Sequence, residues 1–333
     1  MSEKLIFDIQ MFAAGDAVNA TTSEGLSGEL KTFYEKSLIH YATPNLVHDQ
    51  FGQKKPIPKG GGKTIEFRKF SSLPKATQPL TEGVTPTGKL LSETEVTATV
   101  EQYGDYIEQT DVLELTAIDN TIVEATKLLA DQSGRTLDTV TRNELCAGTN
   151  VMYAPKIGAD GSVTEVTSRG NLDDTCRLRV KDVFRAAAEL KAVNAPKIDG
   201  YYVAIIHPYV AYDLMQDAGE KWMDIHKYAN PENIFKGEIG TLGGVRFVES
   251  TEAKIFDGGV FATLFLGLNA YGVTDIEGGG LQHIVKPKGY GNDPLNQRSS
   301  IGWKAMKTAK RLVEEYIIRF ESKSEFSDSA EEN

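Results

Sequence analysis

The stretch Asp119–Ala147, DNTIVEATKLLADQSGRTLDTVTRNELCA, constrains the fold more than any other. With Ile118 just before it, its apolar residues Ile122, Ala125, Leu129, Val140 and Ala147 recur at helical spacing and predict one long helix. The opposite face is expected to be charged. Asp131 stands four residues before Arg135 and Asp138 four before Arg142, the favourable order for pairs one turn apart. Asp119 or Asn120 can cap the start, and Gly148 sits where the chain should leave the helix. At about 1.5 Å per residue such a rod is roughly 40 Å long. Two features need a reason. Gln132, Thr136 and Asn143 interrupt the apolar stripe, and Gly134 lies mid-helix at a cost of about 1 kcal/mol against Ala. A gentle bend over the domain's own sheet would account for them, and so would a rod wedged against a neighbouring chain.

The segments before the helix are unlike those of a compact domain. Residues 1–50 show no core pattern until Gly25. A helix is predicted from Leu26 to His40, ended by Thr43-Pro44. The first twenty or so residues read as an arm that orders only on a partner. Residues 51–75 are basic, with Lys54, Lys55, Lys59, Lys63, Arg68, Lys69 and Lys75 against Glu66. Thr64–Phe70 alternates as a strand, and a second alternating strand runs from Glu95 to Tyr106 with Val96, Ala98 and Val100 on one side. Between them lies SSLPKATQPLTEGVTPTGKLLSE, which contains Glu82 and Lys89 and reads as a tip too polar to bury itself. A loop of that length is expected to rest on something else.

After the long helix, Val151–Tyr153 and Val163–Val166 are expected to pair around Ala159-Asp160-Gly161-Ser162. A second amphipathic helix is predicted over Asn171–Asn194, burying Leu172, Cys176, Val183, Ala187 and Leu190. Tyr201–Ile206 reads as a buried strand ended by His207-Pro208, with a short helix following. Further strands are expected at Val245–Val248, Val260–Leu266 and His283–Lys286, and a closing strand at Arg311–Phe320. The glycines at 237, 240, 243 and 244 read as turn residues, and the acidic end, ESKSEFSDSAEEN, as disordered.

Chemistry is hard to find. The 333 residues carry a net charge of −11, which argues against tight nucleic-acid binding through phosphate neutralisation but not against enclosing DNA. Cys146 and Cys176 are too few and too far apart for a metal knuckle and read as small core residues. No apolar run is long enough to span a bilayer, and the start is not a convincing signal peptide. Gly60-Gly61-Gly62-Lys63-Thr64 resembles the end of a phosphate loop, but the pattern's first glycine is replaced by Ile57. His207, at a strand end with Asp213 six residues on, is the one residue placed like a catalytic group, yet no activated nucleophile motif accompanies it. Lys304, Lys307, Lys310 and Arg311 form a basic run that is either a solvated face or an inter-subunit ion-pair surface. No cofactor or metal is implied. An arm, a long two-stranded excursion and a long helix favour a self-assembling structural protein over an enzyme.

Several segments together resemble the major capsid proteins of tailed bacteriophages, in the family typified by the coat protein of phage N-four. They are EQYGDYIEQTDVLELTAIDNTI at 101–122, TLDTVTRNELCAGTN at 136–150, YYVAIIHPYVAYDL at 201–214, FKGEIGTLGGVRFVES at 235–250 and DPLNQRSSIGWKAMKTAKRLVEEYIIRFES at 293–322. The resemblance implies an α+β chain with the Hong Kong 97-like fold. Residues 1–55 would be the N-terminal arm and 56–104 the extended loop. Residues 105–170 and 300–322 would form a peripheral domain with spine helix 119–147, residues 171–299 an axial domain, and 323–333 a disordered tail. Lys63, Arg68, Lys69, Lys75, Glu82 and Lys89 would meet a neighbouring subunit. Ile122, Leu129, Gly134 and Val140 would mark the spine helix, and Lys236 and Glu238 an axial-domain loop. The implied function is a non-enzymatic shell subunit in the virion, assembled in the bacterial host cytoplasm. Its partners would be copies of itself as pentamers and hexamers, a separate scaffolding protein and a portal, enclosing double-stranded DNA without sequence-specific binding. Alternatives are an encapsulin-like nanocompartment shell, a tail-tube or surface-layer protein, and a soluble α+β hydrolase using His207.

Overall fold

The computed structural model describes residues 46–70, 73–85, 87–116, 121–158, 160–219, 223–224 and 238–333. Most of the expected arm, the helix over Leu26–His40, the residues around 118–120 and Lys236 lie outside them. In chain order the first elements are β1 (Gln53–Lys54), β2 (Thr64–Phe70), β3 (Glu93–Thr99), β4 (Glu101–Thr110), α1 (Asp111–Thr116) and α2 (Thr121–Cys146). Next come β5 (Val151–Tyr153), β6 (Lys156–Ile157), β7 (Val163–Thr164), α3 (Val180–Ala192), β8 (Tyr202–Ile206), α4 (Pro208–Ala218) and β9 (Met223–Asp224). The last are β10 (Glu238–Leu242), β11 (Val245–Glu249), β12 (Ile255–Phe256), β13 (Val260–Leu266), β14 (Tyr271–Thr274), β15 (Gln282–Lys286), β16 (Arg298–Arg311) and β17 (Ile317–Ser322).

An eight-stranded mixed sheet has the order β5-β17-β13-β8-β11-β10-β9, with β12 beside β13. Strands β8 and β13 are buried on both faces, which is why they read as unbroken apolar runs. Tyr202, Ala204 and Ile206 face the core under α3 and α4. Val203 and Ile205 face the other side, with Leu145 and Cys146 at the end of α2. Gly243 and Gly244, both at positive φ, make the tight turn that joins β10 to β11. A second sheet, β1-β14-β16-β15 with β4 on β16, carries α2 across it. Ile122, Ala125, Leu129, Ala130 and Leu137 pack there on Ile301, Trp303 and Ala305.

Hydrogen bonding partitions the strands differently from the boundaries expected at 170/171 and 299/300. Strands β14 and β15 pair with β16, whereas β5 and β17 belong to the large sheet.

Other local expectations are corrected. Helix α3 begins at Val180, not Asn171. Asp173 accepts from the Thr175 backbone N–H at 3.1 Å and from its hydroxyl at 2.6 Å, a local turn that competes with helix. Cys176 is buried just outside the helix, and the Asp182 carboxylate accepts the Arg179 backbone N–H at 3.1 Å at the helix start. Val163–Thr164 pairs with Lys156–Ile157, while Val151–Tyr153 pairs with β17. The expected single strand from Glu95 to Tyr106 is two, β3 and β4, broken at Val100. The expected closing strand Arg311–Phe320 is split by a 3-10 turn at Glu314–Tyr316 into the end of β16 and β17. Segment 323–333 is ordered against the body. Ser327 Oγ donates to the Gly259 carbonyl at 2.9 Å, and the Asn333 side chain bonds Ile255 and Ala253.

Polar residues also shift the phase of the long helix. Asp131 and Arg135 are exposed and 3.8 Å apart. Asp138 and Arg142, expected on the same charged face, are buried. The buried stripe runs through Ala130, Ser133, Leu137, Thr141 and Leu145, with Gly134 buried beside it, so Val140 is only half-buried and Ala147 is exposed.

Candidate inter-subunit interface

The excursion begins as a regular two-stranded ribbon. Strands β2 and β3 pair antiparallel from Thr64–Thr99 to Phe70–Glu93. Alternation puts Ile65, Phe67 and Ala98 on the inner face, where they pack with Ile57 and Val100 and reach Ile276, Met306 and Leu312. Phe67 lies so close to β14 that a Cβ on Gly272 would come within 2.5 Å of its ring. The ribbon's base is therefore fixed to its own subunit.

Its tip is not. The described residues between Leu73 and Ser92 are all exposed. The one backbone hydrogen bond recorded among them is internal, Val84 N–H to Thr81 O at 3.2 Å. The tip is also less polar than its Pro, Thr and Gly content implied. Leu73, Leu80, Val84, Leu90 and Leu91 expose between 55% and 93% of their surface. Fully burying such a side chain is worth about 1.5–3 kcal/mol. Apolar residues threaded through a turn-rich segment without a pairing strand were the available signal.

The expected interface charges fall into two groups. Arg68 bonds Glu93 at 3.2 Å and approaches Glu66 at 3.7 Å, and Lys69 approaches Glu315 at 3.8 Å, so both have partners within the chain. Lys63, Lys75, Glu82 and Lys89 are exposed. The basic run before β17 is neither wholly solvated nor free for a neighbour. Lys307 is buried against Asp49 and the Leu137 carbonyl, Lys310 is 3.3 Å from Glu144, and Arg311 is 3.2 Å from Glu314. Glu238 lies buried in β10, 3.6 Å from Arg246, and is not part of an exposed loop.

A groove of about 680 Å³ runs along the outer side of α2. Ile107, Leu128, Leu129 and Val140 give it an apolar floor, and Asp105, Asp131 and Glu252 stand on its rim with Arg135 between the last two. Leu128 is 66% exposed within it. Gln132, out of place in the apolar stripe, holds the wall together. Its amide donates to Asp105 at 2.6 Å and its carbonyl accepts from the Trp303 indole at 3.2 Å. The Gln132 amide, then the Tyr106 N–H, hold the Asp105 carboxyl below its ordinary pKa. Arg135 Nε donates to Glu252 at 2.7 Å, which ties the helix to the turn after β11.

The residues considered for chemistry are otherwise engaged. His207 caps α4 by accepting the Tyr209 N–H at Nδ1 (3.2 Å), and burial lowers its pKa to about 4. Asp213 accepts the Glu325 N–H at 3.1 Å. The Gly60–Gly62 turn leads into a strand, so no helix N-terminus is there to hold a phosphate. Among the described residues no cluster of His, Cys, Asp and Glu has metal-binding geometry, and no helix is long and apolar enough to cross a membrane.

Comparison with known proteins agrees with this architecture. Residues 116–272 match the family model described as phage capsid protein. No curated protein matches the chain in sequence. Among solved structures, the capsid of Ralstonia phage GP4 is similar at TM-score 0.62 and 15% identity, covering 84% of this chain and 89% of that one. The capsid asymmetric unit of cyanophage Pam1 is similar at TM-score 0.58 and 14% identity, covering 84% and 90%. A virus-like particle from Pyrococcus furiosus is similar at TM-score 0.50 and 10% identity, covering 88% and 99%. Residues 116–272 thus carry the sequence match to phage capsid proteins, and the described residues have the fold of solved phage capsids, the Hong Kong 97-like type.

Proposed function

We infer that the chain is the major capsid protein of a tailed phage and that copies of it close into the head shell around double-stranded DNA. The observation that carries the reading is the ribbon of residues 64–99, anchored at its base and carrying an exposed apolar tip that its own subunit does not cover. A second copy supplies what the tip lacks. The groove along α2 suits it, because its apolar floor can take Leu80 and Leu90, and a rim of three carboxylates against the single Arg135 keeps a net negative charge towards Lys75 and Lys89. Each rim ion pair is worth only about 0–1 kcal/mol, so binding comes mainly from the leucines. Repetition around a closed symmetric shell turns such contacts into a stable assembly that can still reject wrong additions.

In this reading residues 1–55 are an arm and 56–104 the extended loop. The α2 sheet is the core of a peripheral domain, and much of the eight-stranded sheet belongs to an axial domain. Subunits gather as pentamers and hexamers around a portal, with a separate scaffolding protein, in the host cytoplasm. The net charge of −11 keeps the wall from trapping DNA as it enters and leaves. A cellular compartment shell would share the fold, but the phage-capsid match over 116–272 favours the virion. Replacing residues 75–90 by a short Gly-Ser link tests the role of the loop. A folded chain that no longer closes shells is expected, and full particles from the deleted chain would refute it.

A further inference from the structure

Strand β4 has one edge without a neighbour. Among the described residues it pairs with β16 alone, from Glu101–Lys307 to Thr110–Arg298, with no break in register. The Tyr106 N–H donates to the adjacent Asp105 Oδ1 at 2.8 Å, so it points away from β16. By the alternation of an antiparallel ladder, the backbone groups of Gln102, Gly104 and Glu108 point the same way. Edges of this length commonly carry lysine, proline or a bulge that keeps other strands off. Strand β4 has none of these and carries Glu101, Asp105 and Glu108 instead. Two such edges laid together would gather carboxylates with no base among them, so the edge selects a basic partner.

The chain supplies one. Residues 87–92, TGKLLS, run straight into β3 with every residue exposed, and the ladder with β2 stops at Glu93. The segment continues a strand but has no strand beside it among the described residues. The other limb of the tip holds Pro74 and Pro79, which cannot donate to a ladder. Leu90 and Leu91 are 93% and 71% exposed. Consecutive residues of a strand point to opposite faces, so one groove cannot cover both. The edge of β4 offers an apolar position on each face: Ile107 in the groove of α2, and the exposed Tyr106 on the other side.

We propose that residues 87–92 of one copy add to the free edge of β4 in a second copy as an antiparallel strand. This rests on the reading that the loop docks on a neighbour, and it specifies how. Setting Leu90 opposite Ile107 puts Leu91 opposite Tyr106 and Lys89 opposite Glu108. A parallel strand with the same central pair sets Leu91 on the Glu108 carboxylate and moves Lys89 away from it. Main-chain bonds at Tyr106 and Glu108 hold the added strand, and the alternate side chains fix its register. The Tyr106 N–H exchanges Asp105 for a carbonyl of the partner, while Asp105 keeps the Gln132 amide.

Cysteine pairing in particles of the full chain tests it. In this register the Cα atoms of Leu91 and Tyr106 stand about 5.5 Å apart, within disulfide reach. The native Cys146 and Cys176 are buried. Leu91→Cys with Tyr106→Cys should give ladders of linked subunits on a non-reducing gel after mild oxidation. Leu90→Cys with Tyr106→Cys, on opposite faces, should link about tenfold less. Equal linking in both, or none in the first while particles form, would overturn strand addition and leave the docking of the loop standing. A wild type that forms no particles would overturn the capsid reading and strand addition with it. Where the cysteine pair itself blocks assembly, charge reversal decides. Glu108→Lys should raise the particle-forming concentration about fivefold, and adding Lys89→Glu should restore it. Effects of the two substitutions that simply add would overturn the proposal.

Discussion

Leu80→Ser with Leu90→Ser separates assembly from folding in one variant. These side chains are 77% and 93% exposed, and neither belongs to a core cluster. Folding should barely notice their loss, because surface changes away from special contacts stay within about 0.5 kcal/mol. Assembly should notice it strongly. Full burial of two leucines is worth roughly 3–6 kcal/mol, and about half of that survives partial burial and the ordering of a 20-residue tip. A loss of about 1.5–3 kcal/mol per contact raises the concentration at which particles form by roughly ten- to a hundredfold. Light scattering against concentration gives that threshold, and calorimetry of the unassembled chain gives the melting temperature. An unchanged threshold would mean that the tip buries nothing on a neighbour. A melting temperature lowered by many degrees would mean that it packs on its own subunit.

Two further predictions concern the body. Glu321 is fully buried and takes both Arg169 contacts at 2.7 Å and Arg319 at 2.9 Å, so Glu321→Ala leaves two guanidinium groups without their anion. A loss of about 3–5 kcal/mol is expected, read from the shift of the urea midpoint, and a shift equivalent to under about 1 kcal/mol would contradict it. His207 has a folded pKa near 4, below the 6.5 of the free side chain, because burial disfavours its charged form. Between those values the unfolded chain binds the extra proton. The contribution is therefore present above about pH 6.5 and is lost as pH falls towards 4, by at most about 3 kcal/mol. His207→Asn, which can still cap α4, should flatten the acid side of the stability profile. Parallel profiles would place the sensitive group elsewhere.

How much of this was legible in the sequence depended on whether buried positions were apolar. Strands β8, β11 and β13, sealed on both faces, were read nearly to the residue. The ribbon's two strands emerged from plain alternation at Ile65, Phe67, Val96 and Ala98. The long helix was found, but its buried face was mis-phased. Asp138, Thr141 and Arg142 look like surface residues and are core residues with partners at His48, Asp49 and Glu252, and the buried Ser133 bonds the Ala130 carbonyl within the helix. Lys307 hid β16 in the same way. It occupies a buried place in the alternation of Ile301, Trp303, Ala305 and Ala309, and its ammonium reaches Asp49, 258 residues away in sequence. Pairings of that range leave no local pattern. The Asn171–Arg179 segment failed for the opposite reason: its apolar spacing was helical, but Asp173 favoured its own turn.

The interface was legible as an excess and not as a contact. A long excursion with nothing to rest on pointed to a neighbour. The spacing of charges could not show that Arg68 and Lys69 already have partners within the subunit, or that the leucines at the tip are left exposed by it.

Electron microscopy of the purified, full-length chain, concentrated alone and with lysate of its host, tests the central claim most directly. Closed shells of uniform diameter, built from rings of this one polypeptide, are the predicted result. Dispersed single subunits at every concentration, or open tubes and flat sheets, would contradict it.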